Sequence, residues 1–375
     1  MDLDELRGGI NRLDRIIQDA FTERMELCKE VARFKQEKGM QIFQNDREKE
    51  ILRRIRDNAP EGLESPSGLL FQTIMDISKY LQYRELHRDY APYDFQPLGI
   101  SPSATVACQG TAGANAETAA RQIFGADCKP EFLLTFADVF DAVQSGRVQY
   151  GIIPVVNSTF GSVVQAYDLM AEHSFYICRT TVVEITNCLA VRPGTRLEDV
   201  KDAYSHPQAL AQCGHFLTRS GIRPHEYSNT ATAAKMVAES DKPIAAVCSE
   251  NCAQLHGLEI LAHGISDHVP NFTRFICISK ELELSDDADR ISVMLRLPHE
   301  EGSLYRLLSK FVICGLNLLK LESRPIRNGS FEVLFYLDFS GNICDPAVRA
   351  LLSDLSENLE YFKFLGNYGE TIAEA

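Results

Sequence analysis

The sequence predicts a multidomain chain with an all-α three-helix segment, an α/β segment and an α+β segment of ferredoxin-like order. Three observations predict it. Apolar residues recur at alternating spacings of three and four from Leu3 through Leu6, Ile10, Leu13, Ile17 and Ala20 to Leu27, Val31 and Phe34. From Ala104 to Lys280, short apolar runs (TVACQG, EFLLTF, YGIIPVV, AAVCSE, TRFICIS) alternate with helix-like stretches (AETAARQIFG, FADVFDAVQSG, PQALAQCGHFL, TAAKMVAE), as in α/β domains. The remainder reads strand, helix, strand, strand, helix, strand, which is the ferredoxin-like order.

At 375 residues the chain has room for two or three domains. The boundaries fall at 1–92, 103–281 and 289–370, with Pro92, Pro97 and Pro102 marking the first linker and ELELSDDAD the second. A formal net charge of −14 argues against nucleic acid as a partner, because phosphate binding needs a basic surface. The charge is uneven. Residues 1–92 hold sixteen of the 38 Lys and Arg and are close to neutral, so the acidic excess lies downstream. The 11 cysteines are scattered, and Cys248 with Cys252 has no matching second pair, so reduced thiols are expected and neither a metal nor a cofactor. MDLDELRGG lacks the apolar core of a signal peptide, and no apolar run approaches the roughly 18 residues of a membrane helix. A cytoplasmic protein with no membrane partner is expected.

The first helix is expected from Asp2 to Lys38, with Gly39 as its stop signal. Asn45 or Asp46 caps a second, DREKEILRRIRDNA, and Ser65 with Pro66 opens a third, GLLFQTIMDISKYLQYRELH. Two short helices cannot cover the seam of a much longer one, so a partner chain is expected. Arg24 interrupts that seam. Lys35, eleven residues on, lies on the same face within about 20° and roughly 16 Å along the axis, so both arms reach one small ligand. Arg7 is roughly 25 Å from Arg24 and contributes only from a second chain. Ser78 and Gln82 share a face of the third helix and offer neutral donors. A buried arginine needs a partner, which leaves an acid within the bundle or an anionic ligand.

In order and spacing, LRGGI, ERMELCKEVARFK, NDREKEIL and DISKYLQ resemble the all-α chorismate mutase family. The resemblance implies an intertwined dimer binding chorismate, with Arg7 entering from the neighbouring subunit and Arg24, Lys35 and Arg47 holding the carboxylates and the ether oxygen. Glu48, Ser78 and Gln82 match the other pocket positions, and Gln44 departs at one more. Gln44 stands where the family usually has an acid, and an amide accepts the same hydrogen bond. The implied reaction is a pericyclic rearrangement without a nucleophile. The protein holds the reactive shape and places charge at the breaking ether oxygen, a task for Lys35 and Gln82.

In the second segment, GIIPVVNSTFGSV packs Asn157, Ser158 and Thr159 together at the end of an apolar run, where amide and hydroxyl groups suit a carboxylate. SHPQALAQC places Ser205 before a helix and Gln212 within it, NTATAAKMV opens a helix at Thr230, and NFTRF puts Thr273 and Arg274 just before a strand. Ser or Thr before a helix is also an ordinary cap. VACQGTAGANAETAA lacks the G-x-G-x-x-G of nicotinamide binding, and no G-x-S-x-G elbow is present.

Together, QGTAGAN, IPVVNSTFGSV, SHPQALAQC, NTATAA and NFTRF resemble prephenate dehydratase. The resemblance implies two lobes of the periplasmic-binding-protein type with the site between them. Prephenate is then a second substrate, losing its ring hydroxyl and ring carboxylate to give phenylpyruvate, carbon dioxide and water. Thr273 is the implied donor to the departing hydroxide, and Arg274 the partner of a substrate carboxylate. Asn157, Ser158, Thr159, Ser205, Gln212 and Thr230 would line the cleft. Ala116 and Val156 depart from the family's usual Ser or Thr and Glu.

GSLYRLL and KLESRPIRNGSFEVLFYLDFSG resemble the ACT domain of prephenate dehydratases. That implies L-phenylalanine bound at Gly302, Ser303 and Leu304, where a helix start suits a carboxylate, and at Glu322, Ser323 and Arg324 in the adjoining strand and turn. The combined expectation is a bifunctional, phenylalanine-inhibited enzyme, homodimeric or homotetrameric. A non-catalytic metabolite sensor, or an enzyme with one active domain, stays open at this point.

Overall fold

In the computed structural model, which describes residues 2–40, 45–86, 93–267, 270–326 and 332–372, Asp2 and Glu5 form a capping box. Asp2 Oδ1 accepts from the Glu5 amide at 2.8 Å and Glu5 Oε2 from the Asp2 amide at 3.0 Å. Helix α1 (Leu3–Glu37) follows and ends before Gly39, whose φ of +62° suits a helix stop. Helices α2 (Asn45–Asp57) and α3 (Glu64–Leu86) complete the expected trio, and α3 packs against both others. The seam stays open. Leu3, Ile10, Ile17, Leu27 and Phe34 are 56–62% exposed, while Met25 and Ala32 are the buried residues of α1.

The chain divides into two compact units, Met1–Asp94 with Asp289–Phe364 and Phe95–Ala288 with Leu365–Ala375. The second unit has two α/β lobes. Its first lobe contains β1 (Gln96–Pro97), β2 (Val106–Gln109), α4 (Asn115–Phe124), β3 (Glu131–Leu133), α5 (Phe136–Gln144), β4 (Tyr150–Asn157), β5 (Gly161–Ser162), α6 (Val164–Glu172) and β6 (Tyr176–Glu184). The chain then builds a separate five-stranded sheet from β7 (Cys188–Val191), β8 (Asp202–Ser205), β9 (Arg223–Glu226), β10 (Ala245–Cys248) and β11 (Glu259–Ala262), in the order β11-β7-β10-β8-β9. Helices α7 (Pro207–Gln212), α8 (Gly214–Arg219), α9 (Thr230–Glu239) and α10 (Glu250–Leu255) belong to this second lobe.

Strand β12 (Phe272–Ser279) returns to the first lobe and lies antiparallel between β4 and β6, before β13 (Glu283–Leu284) pairs with β1. The first lobe's core joins Val106, Ile152, Val183 and Phe275 to Ala119, Ala120 and Phe124 of α4. These strands read as near-continuous apolar runs because helices cover both faces.

The remaining elements are β14 (Arg290–Arg296), α11 (Ser303–Cys314), β15 (Leu318–Pro325), β16 (Val333–Ser340), α12 (Pro346–Asn358) and β17 (Tyr361–Thr371), the expected βαββαβ order with sheet sequence β15-β16-β14-β17. The turn RNGS lies outside the described residues. Within the first unit, α3 packs on α11 and α12. Tyr83 is fully buried beside Ala350, and its hydroxyl donates to Glu357 Oε2 at 2.8 Å and accepts from Asn358 Nδ2 at 3.1 Å. The helical and βαββαβ segments therefore share one unit. Their joining residues stand 274 positions apart, so no local pattern announces the contact.

Candidate functional site

The first candidate site is built on α1, α2 and α3. Arg24 is half-buried, and its Nη1 donates to Cys28 Sγ at 3.8 Å. Among the described residues no carboxylate pairs with it, so the internal-acid reading of this arginine finds no support. Lys35 is held below the ordinary lysine value by burial, with Glu48 and Cys28 pulling the other way. Arg24 and Lys35 thus both lie near Cys28, with Glu48 close enough to Lys35 to act on its charge.

Ser78 and Gln82 are both buried on α3, and Gln82 Nε2 lies 3.4 Å from Ser78 Oγ. Gln82 Oε1 is buried without a hydrogen-bond partner among the described residues, a condition that costs about 1–3 kcal/mol unless a ligand satisfies it. Arg7 and Arg47 are not brought to this cluster. Arg7 is exposed and pairs with Asp4 at 3.6 Å, and exposed Arg47 pairs with Glu50 at 2.7 Å. Gln44 lies outside the described residues.

Lys79 and Asp76 escaped the sequence reading. Lys79 Nζ lies 3.1 Å from Glu48 Oε2 and 2.9 Å from Asp76 Oδ1, and these three side chains are 12%, 18% and 5% exposed. They border a cavity of about 390 Å³ also lined by Arg306, Lys310 and Asp354. The one available signal was the adjacency of Lys79 to Ser78 in DISKYLQ.

The second candidate site lies where β4 meets β12. Thr273 stands opposite Asn157 across the ladder. Asn157 Nδ2 donates to Thr273 Oγ1 at 3.0 Å and to Asn271 Oδ1 at 2.8 Å, while its Oδ1 accepts from the amides of Thr159 and Phe160, both at 2.9 Å. Two backbone donors fix which way the amide points. Asn271 is 1% exposed and was also missed, although it stands two residues before Thr273 in the quoted NFTRF. Ser158 and Thr159 are exposed. Ser158 Oγ accepts from the Phe272 amide at 2.9 Å, and Thr159 Oγ1 lies 3.4 Å from Asn271 Oδ1.

On the second lobe, Gln212 is buried and its Oε1 accepts from Asn187 Nδ2 at 3.1 Å. Ser205 ends β8 and donates to the Val247 carbonyl at 2.6 Å, so its hydroxyl ties β8 to β10. Half-buried Thr230 begins α9, which Asn229 caps by accepting from the Thr232 amide at 2.7 Å. Neither Ser205 nor Thr230 is a cap.

Arg274 departs from expectation. Thr273 and Arg274 lie inside β12 instead of before it, and side chains alternate along a strand, so the two point to opposite faces. Arg274 Nη2 pairs with Glu370 Oε2 at 3.2 Å and is not gathered with Asn157 and Thr273.

In the βαββαβ segment, Gly302 takes φ +77° at the start of α11, with Ser303 buried and Leu304 39% exposed. Glu322, Ser323 and Arg324 all lie within β15, and Ser323 faces the opposite side from the other two. The strand's alternation sets this, and all three residues belong to the strand. Among the described residues no helix is long and apolar enough to cross a membrane, and no group of three His, Cys, Asp or Glu is placed to hold a metal.

A helical bundle with a charged pocket and a two-lobed α/β frame with an amide–hydroxyl cluster place the chain in the class of multidomain enzymes. The chorismate mutase type II family model matches residues 6–83, and the prephenate dehydratase model matches residues 106–283. The bifunctional chorismate mutase/prephenate dehydratase of Aquifex aeolicus is 31% identical over 377 residues, which cover 100% of this chain and 99% of that protein. The chain belongs to the bifunctional chorismate mutase/prephenate dehydratase family. Among solved structures, a prephenate dehydratase from Arthrobacter aurescens in complex with L-Phe is 31% identical, with a TM-score of 0.65 over 71% of this chain and 90% of that one. GqqA, described as a novel type of quorum-quenching acylase, is 30% identical, with a TM-score of 0.64 over 70% of this chain and 97% of that one.

Proposed function

We propose that the chain is a bifunctional enzyme of phenylalanine biosynthesis, converting chorismate to prephenate and prephenate to phenylpyruvate under feedback inhibition by L-phenylalanine. In the first reaction an ether C–O bond breaks as a C–C bond forms, with no atom gained or lost. Lys35 supplies positive charge to the ether oxygen and Arg24 holds a carboxylate. Gln82 can serve that oxygen too. A half-turn of its amide sets Oε1 to accept from the Ser78 hydroxyl and aims Nε2 where the unpartnered oxygen now points. Arg7 enters from a second subunit, and the exposed α1 seam supports a homodimer or a homotetramer built from it.

In the second reaction the ring C–OH and ring C–carboxylate bonds break together, releasing carbon dioxide and, after proton transfer to hydroxide, water. Aromatisation drives the step, so a modest donor suffices. The observation that carries the reading is the Asn157–Thr273 bond. Thr273 Oγ1 accepts from Asn157, which leaves its own proton to point elsewhere, toward a departing hydroxide. Ser158, Thr159 and Gln212 supply further polar groups on the two lobes. The likeness to an acylase does not change this. Among the described residues the hydroxyls of Ser158, Thr159 and Thr273 are engaged with the Phe272 amide, Asn271 and Asn157, and none of them hydrogen-bonds a histidine, the commonest activating base of a hydroxyl nucleophile.

The βαββαβ segment is read as an ACT domain. The glycine-started helix α11 and strand β15 offer L-phenylalanine a backbone approach and polar partners. The protein is read as cytoplasmic. Incubating purified protein with chorismate, and following chorismate loss and phenylpyruvate appearance separately with and without phenylalanine, tests all three functions. Prephenate accumulation would remove the dehydratase, unchanged chorismate the mutase, and indifference to phenylalanine the sensor.

A further inference from the structure

Arg274 and Glu370 meet across an intervening strand. Strand β6 lies between β12 and β17, with Arg274 paired to Val182 and Glu370 to Thr180. Val182 and Thr180 are two residues apart on β6 and therefore share a face. The Arg274 side chain thus reaches over β6 to take Glu370 Oε2 at 3.2 Å. Thr273, one residue earlier, projects to the other face with Val183 and Asn157.

The attachment this pair reinforces is short. β17 meets β6 through three partnered residues, Gly369, Glu370 and Thr371. Side chains add to that ladder. Arg179 Nε donates to Thr371 Oγ1 at 2.9 Å, and Thr181 Oγ1 donates to the Thr371 carbonyl at 3.0 Å. The close approach depends on Gly366, where a Cβ would sit 2.2 Å from the Ile177 carbonyl oxygen. Both of those bonds start from β6. The Arg274–Glu370 pair instead starts from β12, the strand that carries Thr273. On its other side β12 slips register against β4 between Arg274 and Phe275, immediately beside Thr273.

We propose that Arg274 is a positioning residue for the dehydratase rather than a substrate ligand. By clamping β12 to the end of β17 through Glu370, it holds the Thr273 end of the strand where the β4 ladder is irregular. Thr273 Oγ1 then keeps its place against Asn157. The inference rests on the dehydratase reading of the Thr273 cluster and adds to it a distant residue, Glu370, that touches no substrate.

The test uses the full chain carrying Glu370→Gln, Arg274→Glu, or the reversed pair Arg274→Glu with Glu370→Arg. With prephenate, Glu370→Gln is expected to lower dehydratase kcat about tenfold, on the scale by which small misplacements of a reacting group act, while KM and mutase turnover stay at parental values. The reversed pair is expected to recover most of the loss that Arg274→Glu alone produces. Hydrogen exchange is measured on the same proteins, and the amides of segments 272–275 and 369–371 are expected to exchange faster in Glu370→Gln and slower again in the reversed pair. Parental kcat and parental exchange in Glu370→Gln would overturn the proposal. So would an Arg274 variant that raises KM at unchanged kcat, since that places Arg274 on the substrate. A parent inert toward prephenate would overturn the dehydratase reading alone, because the exchange measurement still decides the clamp.

Discussion

Lys79 Nζ stands between two carboxylates, 2.9 Å from Asp76 Oδ1 and 3.1 Å from Glu48 Oε2. Burial alone would depress this lysine, but Asp76 and Glu48 outweigh it and hold the ammonium above its ordinary value. Replacing Lys79 with Met fills similar volume and leaves buried Asp76 and half-buried Glu48 without this cation. Loss of one partner from such a site costs about 3–5 kcal/mol. Lys79→Met should therefore unfold at clearly lower denaturant than the parent at neutral pH. Equal midpoints at pH 7 would show that the triad contributes nothing.

The two lysines of the helical site predict opposite alkaline behaviour. Lys35 is depressed by burial, which Glu48 and Cys28 only partly offset. Because kcat/KM reports the free enzyme, its value for chorismate should fall on the alkaline side below the ordinary lysine value of about 10.5. Lys79 is shifted upward and cannot cause that limb. Its ion-pair stabilisation is complete below its ordinary value and is lost only as pH rises through the higher folded one. A pH profile of mutase kcat/KM with no fall until the ordinary lysine value would remove Lys35 as the charged group at the ether oxygen.

At the β4–β12 junction, the Asn157 amide sets the direction of the Thr273 hydroxyl. Thr273→Val keeps the shape and removes the proton donor, so dehydratase kcat should fall about 10²–10⁴-fold, the range of general acid–base contributions. Thr273→Ser should retain much of the activity. Mutase turnover measured on the same preparations should be unaffected, which separates loss of chemistry from loss of fold. A Val variant with near-parental dehydratase turnover would transfer the donor role to another group.

The sequence points to Asn157 through a loop that gathers amides and hydroxyls and to Thr273 through the NFTRF resemblance, and the structure sets the two opposite each other across one ladder. Arg274 was misread by one step. The NFTRF pattern reads as preceding a strand, but the strand begins at Phe272, and inside a strand the period of two separates neighbours. Arg24 and Lys35 were legible because one helix carries both and the helical period relates them. Lys79 pairs with Glu48 from 31 positions away, and Tyr83 with Glu357 from 274, so nothing local marks either contact. Helical and strand periods report which face is apolar; they do not report what that face will meet. The grouping of the helices with the βαββαβ segment in one unit was invisible for that reason.

The open α1 seam supplies the last prediction. Ile10 and Ile17 are 58% and 62% exposed, although their spacing places them on a helix face built for burial. Covering one such side chain is worth about 1.5–3 kcal/mol, and the seam holds several. Introducing Glu at both positions should leave the single-chain fold intact, because neither residue contributes to its core. It should break association along the seam and lower mutase turnover, since Arg7 then loses access to a neighbouring pocket. Dehydratase turnover should persist. Sedimentation equilibrium alongside both assays decides the matter: unchanged mass with unchanged mutase activity would show that the seam is not the subunit interface and that Arg7 does not complete the pocket.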